Sequence, residues 1–440
     1  MYSTIEIFLN GAWVPAAEFK PDRRRAYAGV FDYLPGYVFG GENPVPIALG
    51  LPVNSPRQGL DAVGEAPDCP AFLLDLVPQG RGRRYLEQIA PPGATLEVND
   101  LLLIQLGAFN PIGNLRLDTA VTFYRERLAL EAPSPRDGFT LDDIVRKQDD
   151  FLTHLWQHAM LSAGTTGVQG AAPKFLLTQN HDGLWFADAA LPDDDAAAHW
   201  LIKLARGRQE DDRLVLRNEA AYAVVAQRCG LRVEHPAQMQ GNMLFSRRFD
   251  RLIDADGQLH RLHQESLASL AGVRSFGRPI SLFTLTAALR RYVTDRTQET
   301  IEFLKRDILN LALRNTDNHA RNTAVQRLPD GTVRLTPLFD FAPMYLDPEF
   351  IVRGCKWLPD GGKECETWET IIQKITQDSG EAATIAGQLK AFQTDVEALP
   401  VTMSACGIDQ RIIDDCSASI AAQVARLDSL PSLETRGRRG

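Results

Sequence analysis

Cysteine is scarce in this chain: six residues (69, 229, 355, 365, 406 and 416) among 440. They form no CxxC pair, and Cys355 and Cys365 have no metal-ligating histidine beside them. That argues against a zinc site or a disulfide framework and for buried or incidental thiols in a reducing compartment. Long apolar runs are also lacking, since no window of 18 residues is apolar and uncharged. The start, MYSTIEIFLNGAWVPAAEF, has no basic n-region, no long apolar stretch and no small-residue cleavage site. The expectation is a cytoplasmic protein with no membrane partner. Nor is there an excess of basic charge: 47 Lys and Arg against 56 Asp and Glu leave a net charge of −9. A surface built wholly to hold nucleic acid is therefore disfavoured, although a local basic patch stays open. No internal repeat is visible.

What is present is an ordinary globular composition, 44% hydrophobic and 23% charged. At ~150 residues per domain the length suggests two to three domains with a sizeable core. Ser3–Val14 alternates as a strand broken by the Asn10–Gly11 turn dipeptide. Val45–Leu51 reads as a further strand, Ala71–Leu76 and Tyr85–Ile89 as pieces of helix, and Asp100–Gly107 as a buried segment. Leu141–Met160 has helical spacing with acidic residues in its first turn. Lys174–Gln179, Trp200–Leu204 and Met243–Phe249 read as strands, and Asn218–Cys229 as a helix stopped by Gly230. After residue 265 the pattern turns helical over 281–295, 298–314, 367–376, 380–396 and 408–429, interrupted by a strand at Val333–Phe339. The tail Glu434–Gly440 has the look of a disordered end. A strand-rich half followed by a helix-rich half predicts two lobes with a cleft between them.

The most informative segment is NTDNHARN, Asn315–Asn322. Asp317 and Asn322 stand five apart, the D-x-x-x-x-N spacing of a protein-kinase catalytic loop, and eighteen residues further a strand ends in Asp340–Phe341–Ala342. One carboxylate would deprotonate or orient an acceptor hydroxyl. An amide oxygen and a second carboxylate would hold Mg²⁺, which wants hard oxygen ligands. The plainer reading of the loop alone is an Asn–Thr–Asp turn capping the next segment.

Upstream, Gly164–Gly170 is glycine-rich, so backbone N–H groups could approach phosphate oxygens. It is neither a Walker A nor a Gly-x-Gly-x-x-Gly motif, and a flexible linker is the alternative. Lys203 lies inside the apolar strand HWLIKLA, and Glu219 opens a helix sixteen residues on, the order of a phosphate lysine and its helix glutamate. The alternative for Lys203 is an edge-strand lysine with its head in water. His154 and His158 have i,i+4 spacing, but without an evident third ligand they read as a solvated helix face. Phe303, Phe392 and Trp156 read as core.

Assembled in order, these segments resemble the HipA family of serine/threonine kinases, the toxin halves of bacterial toxin–antitoxin pairs. The resemblance spans nearly the whole chain. IALGLPV, FLLDLVPQG and LLLIQLGAFNPIGNLRL are similar to segments of the family's amino-terminal module. GVQGAAPKFLL resembles its glycine-rich loop, WLIKL its ATP-lysine strand and NEAAYAVVAQRCGL the following helix. SRRFDR resembles the interlobe strand, HQES the segment after it, NTDNHARN the catalytic loop and PLFDFAP the metal-binding strand end.

The resemblance implies Asp317 as catalytic base and Asn322 and Asp340 as Mg²⁺ ligands. It implies Lys203 on the ATP phosphates, which the backbone of Gly167, Val168 and Gly170 would cover. The backbone around Arg247 and Phe249 would hold adenine, and His319 would line the phosphate site. Asp250 and Arg251 match a family motif and are assigned structural roles. The sequence departs from the family at three places. Gly167 replaces the serine that family members often phosphorylate on themselves, with Thr165 and Thr166 just before it. Arg247 stands where an acidic residue is common, and Ser266 where the family often has Asp.

The fold expected is α+β: a two-lobed protein-kinase-like fold with a small amino-terminal α+β module (1–125), a kinase N-lobe (126–250) and a helical carboxy-terminal lobe (251–440). The implied activity is that of an ATP- and Mg²⁺-dependent protein kinase acting on a component of translation, an aminoacyl-tRNA synthetase being one candidate. The implied partner is a small helix-turn-helix antitoxin, through which alone DNA would be contacted. A catalytically silent co-repressor subunit of the same fold and a small-molecule kinase are the alternatives.

Overall fold

The computed structural model describes residues 2–22, 25–41, 44–53, 67–89, 100–130, 137–147, 149–158, 174–207 and 209–431, without the side chains of 81, 153 and 156–158. The glycine-rich stretch, including Gly167, Val168 and Gly170, the threonines before it and the tail 434–440 all lie outside these residues. The chain divides into two units. The first comprises Met1–Leu204, Gln240–Ser275 and Gln326–Asp330; the second comprises Ala205–Met239, Phe276–Val325 and Gly331–Gly440.

Among the described residues the first unit holds, besides a two-stranded antiparallel sheet of Arg251–Ile253 with Leu259–Arg261, two larger antiparallel sheets. In one, Ser3–Leu9 pairs with Ala12–Pro21 through a hairpin closed by Asn10 (φ 50°) and Gly11 (φ 80°), and Gly29–Tyr33 and Leu115–Leu117 flank them. Positive φ at both turn residues is what a two-residue hairpin with right-twisted strands requires, and Asn–Gly supplies it at little cost. Ile5, Ile7 and Phe19 are buried from this sheet; the helices Asp100–Gly107 and Asp118–Leu130 pack on each other, and the second of them on Ser3–Leu9. In the other sheet, Ala196–Leu204 runs between Lys174–Asn180 and Met243–Arg247, with Trp185–Ala187 beyond Lys174–Asn180. Its core is Phe139, Phe151, Leu177, Trp185, Ile202 and Phe245.

Several expectations change here. Val45–Leu51 is not a strand. Pro44 and Pro46 cannot donate to a ladder, and side chains satisfy the backbone instead. Tyr37 donates to the Val45 carbonyl (2.6 Å), Arg327 to the Pro46 carbonyl (2.9 Å), and the Leu49 amide donates to Glu265 (2.9 Å). The helical stretch 141–160 is two helices, Leu141–Val145 and Asp149–His158, parted at Lys147, whose φ is 55°. His154 does not face solvent. It is buried, and its Nε2 accepts the Ala187 amide at 3.0 Å.

The second unit is mostly helical. Arg296–Ala312 packs on Ser379–Glu397 and Gln410–Asp428, with Phe303, Leu304, Ile308 and Phe392 in its core. Side-chain oxygens of Ser281, Asp295, Thr367 and Asp378 cap four of its helices. The helix expected at 218–229 begins earlier, at Glu210, because Glu210, Asp211 and Asp212 favour its positive end and Gln209 and Asp212 form a capping box. Glu219 therefore lies inside this helix and does not open it. A further helix, Leu399–Ala405, follows a break at Ala398 with proline in its first turn. The strand expected at 333–339 ends at Leu335, and Pro337, lacking an N–H, cannot prolong it. Four further short strands interrupt the stretch read as helical or unassigned: Arg251–Ile253, Leu259–Arg261 and His263–Ser266, which belong to the first unit, and Ala324–Arg327.

Candidate functional site

In the second unit the loop 313–322 is set by the end of the helix Arg296–Ala312. Arg314 adopts a left-handed conformation (φ 55°), and the Asn315 amide reaches back to the Asn310 carbonyl at 2.9 Å, a Schellman-type closure. Asn315 Nδ2 also donates to Asn310 Oδ1 (2.9 Å). The chain thus leaves the helix at a fixed angle and carries Asp317 to a half-buried position.

Asp317, His319 and Asn322 are brought together. Asn322 Nδ2 donates to the Asp317 carbonyl at 2.7 Å, and the Asn322 amide donates to the His319 carbonyl at 2.9 Å. His319 Nε2 stands 3.7 Å from Asp317 Oδ1. With its nitrogen engaged, the Asn322 amide can turn only Oδ1 outward. That oxygen is buried and has no hydrogen-bond partner among the described residues, as is true of Thr316 Oγ1 and Asn318 Oδ1. Buried unsatisfied oxygens carry a penalty unless something binds them. An orphaned amide oxygen is a hard donor, so Asn322 fits a magnesium ligand. Among the described residues no three His, Cys, Asp or Glu side chains gather into a metal cluster; the donor set here is an amide and a carboxylate.

Asp340 belongs to the same unit and also has a left-handed backbone (φ 52°), a conformation that Asp tolerates better than most residues. The neighbouring Phe341 is buried against Tyr222 (ring centroids 5.3 Å apart), and the Tyr222 hydroxyl donates to the Leu313 carbonyl at 3.0 Å. One side chain of the helix Glu210–Arg228 thereby touches both the Asp340–Phe341 turn and the start of the 313–322 loop. Tyr222 was within reach of sequence reading, inside the segment NEAAYAVVAQRCGL, but nothing in its spacing announces the role.

The remaining described candidates lie in the first unit. Lys203 is only 6% exposed on an interior strand, so the solvated edge-strand reading does not hold. Arg247 is exposed at the end of Met243–Arg247, with its guanidinium 5.9 Å from the Trp200 ring centre. Phe249 is half-buried, and its carbonyl accepts Gln326 Nε2 at 3.0 Å.

Asp250 and Arg251 are buried in a network, as their structural assignment expects. Asp250 takes both Arg248 (2.9 and 2.7 Å) and the Gly113 amide (2.8 Å), while Arg251 donates to the Gly113 and Pro111 carbonyls. Arg248 also bridges to Asp188, which His199 contacts at 2.9 Å. Burial alone would raise the Asp250 and Asp188 carboxyls, but the guanidiniums around them hold both below the usual carboxylate range. Burial pushes the His199 imidazole down. Ser266 is also accounted for. Its Oγ caps the helix Leu267–Leu270 by accepting the Ser269 amide, and it donates to Asp75 (2.7 Å), which supplies a carboxylate from another segment.

Comparison with known proteins places this architecture. Residues 166–396, more than half of the chain, match the family model of the HipA-like C-terminal domain. The chain belongs to the HipA family. The HipA chain of a Shewanella oneidensis MR-1 complex of HipA, HipB and operator DNA superposes with a TM-score of 0.63, covering 97% of both chains at 16% identity. The shared fold is thus two-lobed, α+β and kinase-like. A protein of Sinorhizobium fredii (strain NBRC 101917 / NGR234), described as "Putative kinase Y4mE", is 28% identical over 356 residues, 76% of this chain and 77% of its own length. Among the described residues no helix is long and apolar enough to cross a membrane.

Proposed function

We propose that this chain is an ATP- and Mg²⁺-dependent protein serine/threonine kinase. The observation that carries the reading is the loop in which Asn322 is fixed by the Asp317 carbonyl while its buried Oδ1 stays without a partner. In this reading Asp317 takes the proton of the acceptor hydroxyl, and Asn322 and Asp340 hold the metal. Bound there, Mg²⁺ supplies charge neutralisation at the phosphates. Lys203, buried on its strand, gives the phosphates a fixed positive charge, and His319 lines the phosphate side. The backbone of Gly167, Val168 and Gly170 covers the phosphates, and the backbone around Arg247 and Phe249 takes adenine. Phosphoryl transfer asks mainly for position and charge, which such fixed groups provide.

In its domain organisation, 1–125 is the family's amino-terminal module, 126–250 the N-lobe and 251–440 the C-lobe. The chain works in the cytoplasm, on a component of translation such as an aminoacyl-tRNA synthetase. Its partner is a small helix-turn-helix antitoxin that makes the DNA contacts. The HipB and operator DNA of the Shewanella complex support the partner class, and the net charge of −9 suits a chain that leaves DNA to another protein.

Purified protein with labelled Mg-ATP is expected to phosphorylate itself or a protein in a lysate. Asp317→Asn is expected to lower the rate by ~100-fold or more, within the range of general-base contributions. Equal labelling by wild type and variant would overturn the assignment.

A further inference from the structure

After Asp340 the chain makes a short turn, Met344–Leu346, and enters a segment, 347–358, without helix or ladder of its own. This segment is nonetheless held at several points. One guanidinium nitrogen of Arg206 reaches both carboxylate oxygens of Asp347 at 2.8 Å, and the other faces Glu349. The Asp347 side chain is only 7% exposed. It also accepts the Glu349 amide (2.8 Å), and its carbonyl accepts the Phe350 amide (2.9 Å), so the turn is wound around this one residue. Further along, Arg353 and Trp357 Nε1 both bond to the buried Asp307, at 2.9 and 2.8 Å. Between them the Cys355 carbonyl accepts Asn318 Nδ2 at 3.3 Å. Asn318 directly follows Asp317, so the far end of the segment touches the candidate catalytic loop.

We propose that Arg206, Asp347 and Glu349 form a latch that orders the segment after Asp340 without phosphorylation, and that Arg206 is thereby a positioning residue for Asp317. In kinases switched by loop phosphorylation, a new phosphate–arginine pair orders the corresponding segment. Here two carboxylates already present in the chain offer an arginine the same negative charge and acceptor oxygens. Charge-assisted contacts to a mostly buried carboxylate are the strong kind. The order they impose passes to the catalytic loop through the Asn318–Cys355 bond. The functional half of this inference rests on the kinase reading; the structural half does not.

The test uses the full chain, with and without phosphatase treatment, and reads amide hydrogen exchange over 347–358. Wild type is expected to keep its protection after phosphatase treatment. Arg206→Gln is expected to speed exchange there by about tenfold or more, the factor matching loss of one charge-assisted bond, with the helix Arg296–Ala312 unchanged. Asp347→Asn gives the same reading should Arg206→Gln fail to fold. In the labelling assay, Arg206→Gln is expected to lower kcat with little change in KM for ATP, and Arg206→Lys to fall between. Unchanged exchange in both variants, or protection lost on phosphatase treatment, would overturn the latch. A wild type that labels nothing removes the kinase reading alone, and the exchange measurement still decides the latch.

Discussion

At the residue scale, the network around Asp250 buries four charged side chains, Asp188, Arg248, Asp250 and Arg251, each at most 8% exposed. Such a group is stable only while complete, because removing one partner leaves the others as uncompensated buried charge. Asp250→Ala is therefore expected to destabilise the fold by about 3–5 kcal/mol, read as a lower urea midpoint. The histidines give a pH dependence. Burial lowers both His199 and His263 from 6.5, and each has a buried ring nitrogen without a partner among the described residues, His199 Nε2 and His263 Nδ1. In the unfolded chain they protonate near 6.5, while in the fold they resist. Their contribution to stability is whole above that pH and declines as pH falls below it. Asp188 and Asp250, depressed from 3.8, lose theirs only below that value. Urea midpoints are expected to be flat from pH 8 to 7 and to fall between 6.5 and 5, and a midpoint that rises on acidification over that range would contradict the assignment. Glu265, 3.6 Å from His263, softens the fall at that histidine without reversing it.

At the element scale, Ser266 ends one strand and caps the next helix, while Asp75 receives its hydroxyl and amide. Ser266→Ala is expected to cost about 1 kcal/mol or more through the lost cap. Ser266→Asp, although an equally good cap in isolation, sets two carboxylates against each other and is expected to destabilise more than alanine does. Thermal melts of the two variants check the order. Elements of this kind show where the sequence was readable. The Asn10–Gly11 hairpin and the spacing of Asp317 and Asn322 in their loop could be read locally, because turn chemistry and spacing act over a few residues, whereas the caps Asp295 and Asp378 show only in the structure. The segment at 45–51 could not be read locally, since its backbone is satisfied by side chains, Tyr37 nearby and Glu265 and Arg327 more than 200 residues away. Lys203 was ambiguous for the same reason: whether a strand lies inside a sheet is decided by its neighbours. No local pattern singles out Tyr222, Arg206 or Asp347, because their partners lie 91 to 141 residues away. HipA-family motif order supplied what local patterns did not, although it left the cap at Ser266 unexplained.

At the scale of the whole molecule, all six cysteines are free thiols, but they differ in access. Cys69, Cys229, Cys355 and Cys416 are buried, and burial pushes their thiols up to about 12, 12, 11 and 11. Thiolate is the reactive form. A thiol reagent at neutral pH is expected to modify Cys365 and Cys406 quickly in the folded protein and the other four only on unfolding. Peptide mapping after a short exposure checks this, and rapid modification of any of the four buried residues would contradict it.

The division into two units of interleaved sequence has a consequence for how the protein is made. The strand Met243–Arg247 of the first unit is synthesised after residues 205–239, which belong to the second, and the first unit receives its last stretch only at 326–330. A ribosome adding ~5–20 residues per second needs roughly 6–25 s to cross the ~120 residues between 205 and 325. During that interval Ile202 and Leu177 have emerged without Phe245 until the strand Met243–Arg247 arrives, and Tyr222 waits still longer for Phe341. Nascent chains of this protein therefore pass through a stage in which both cores are open at once, the state that chaperones bind.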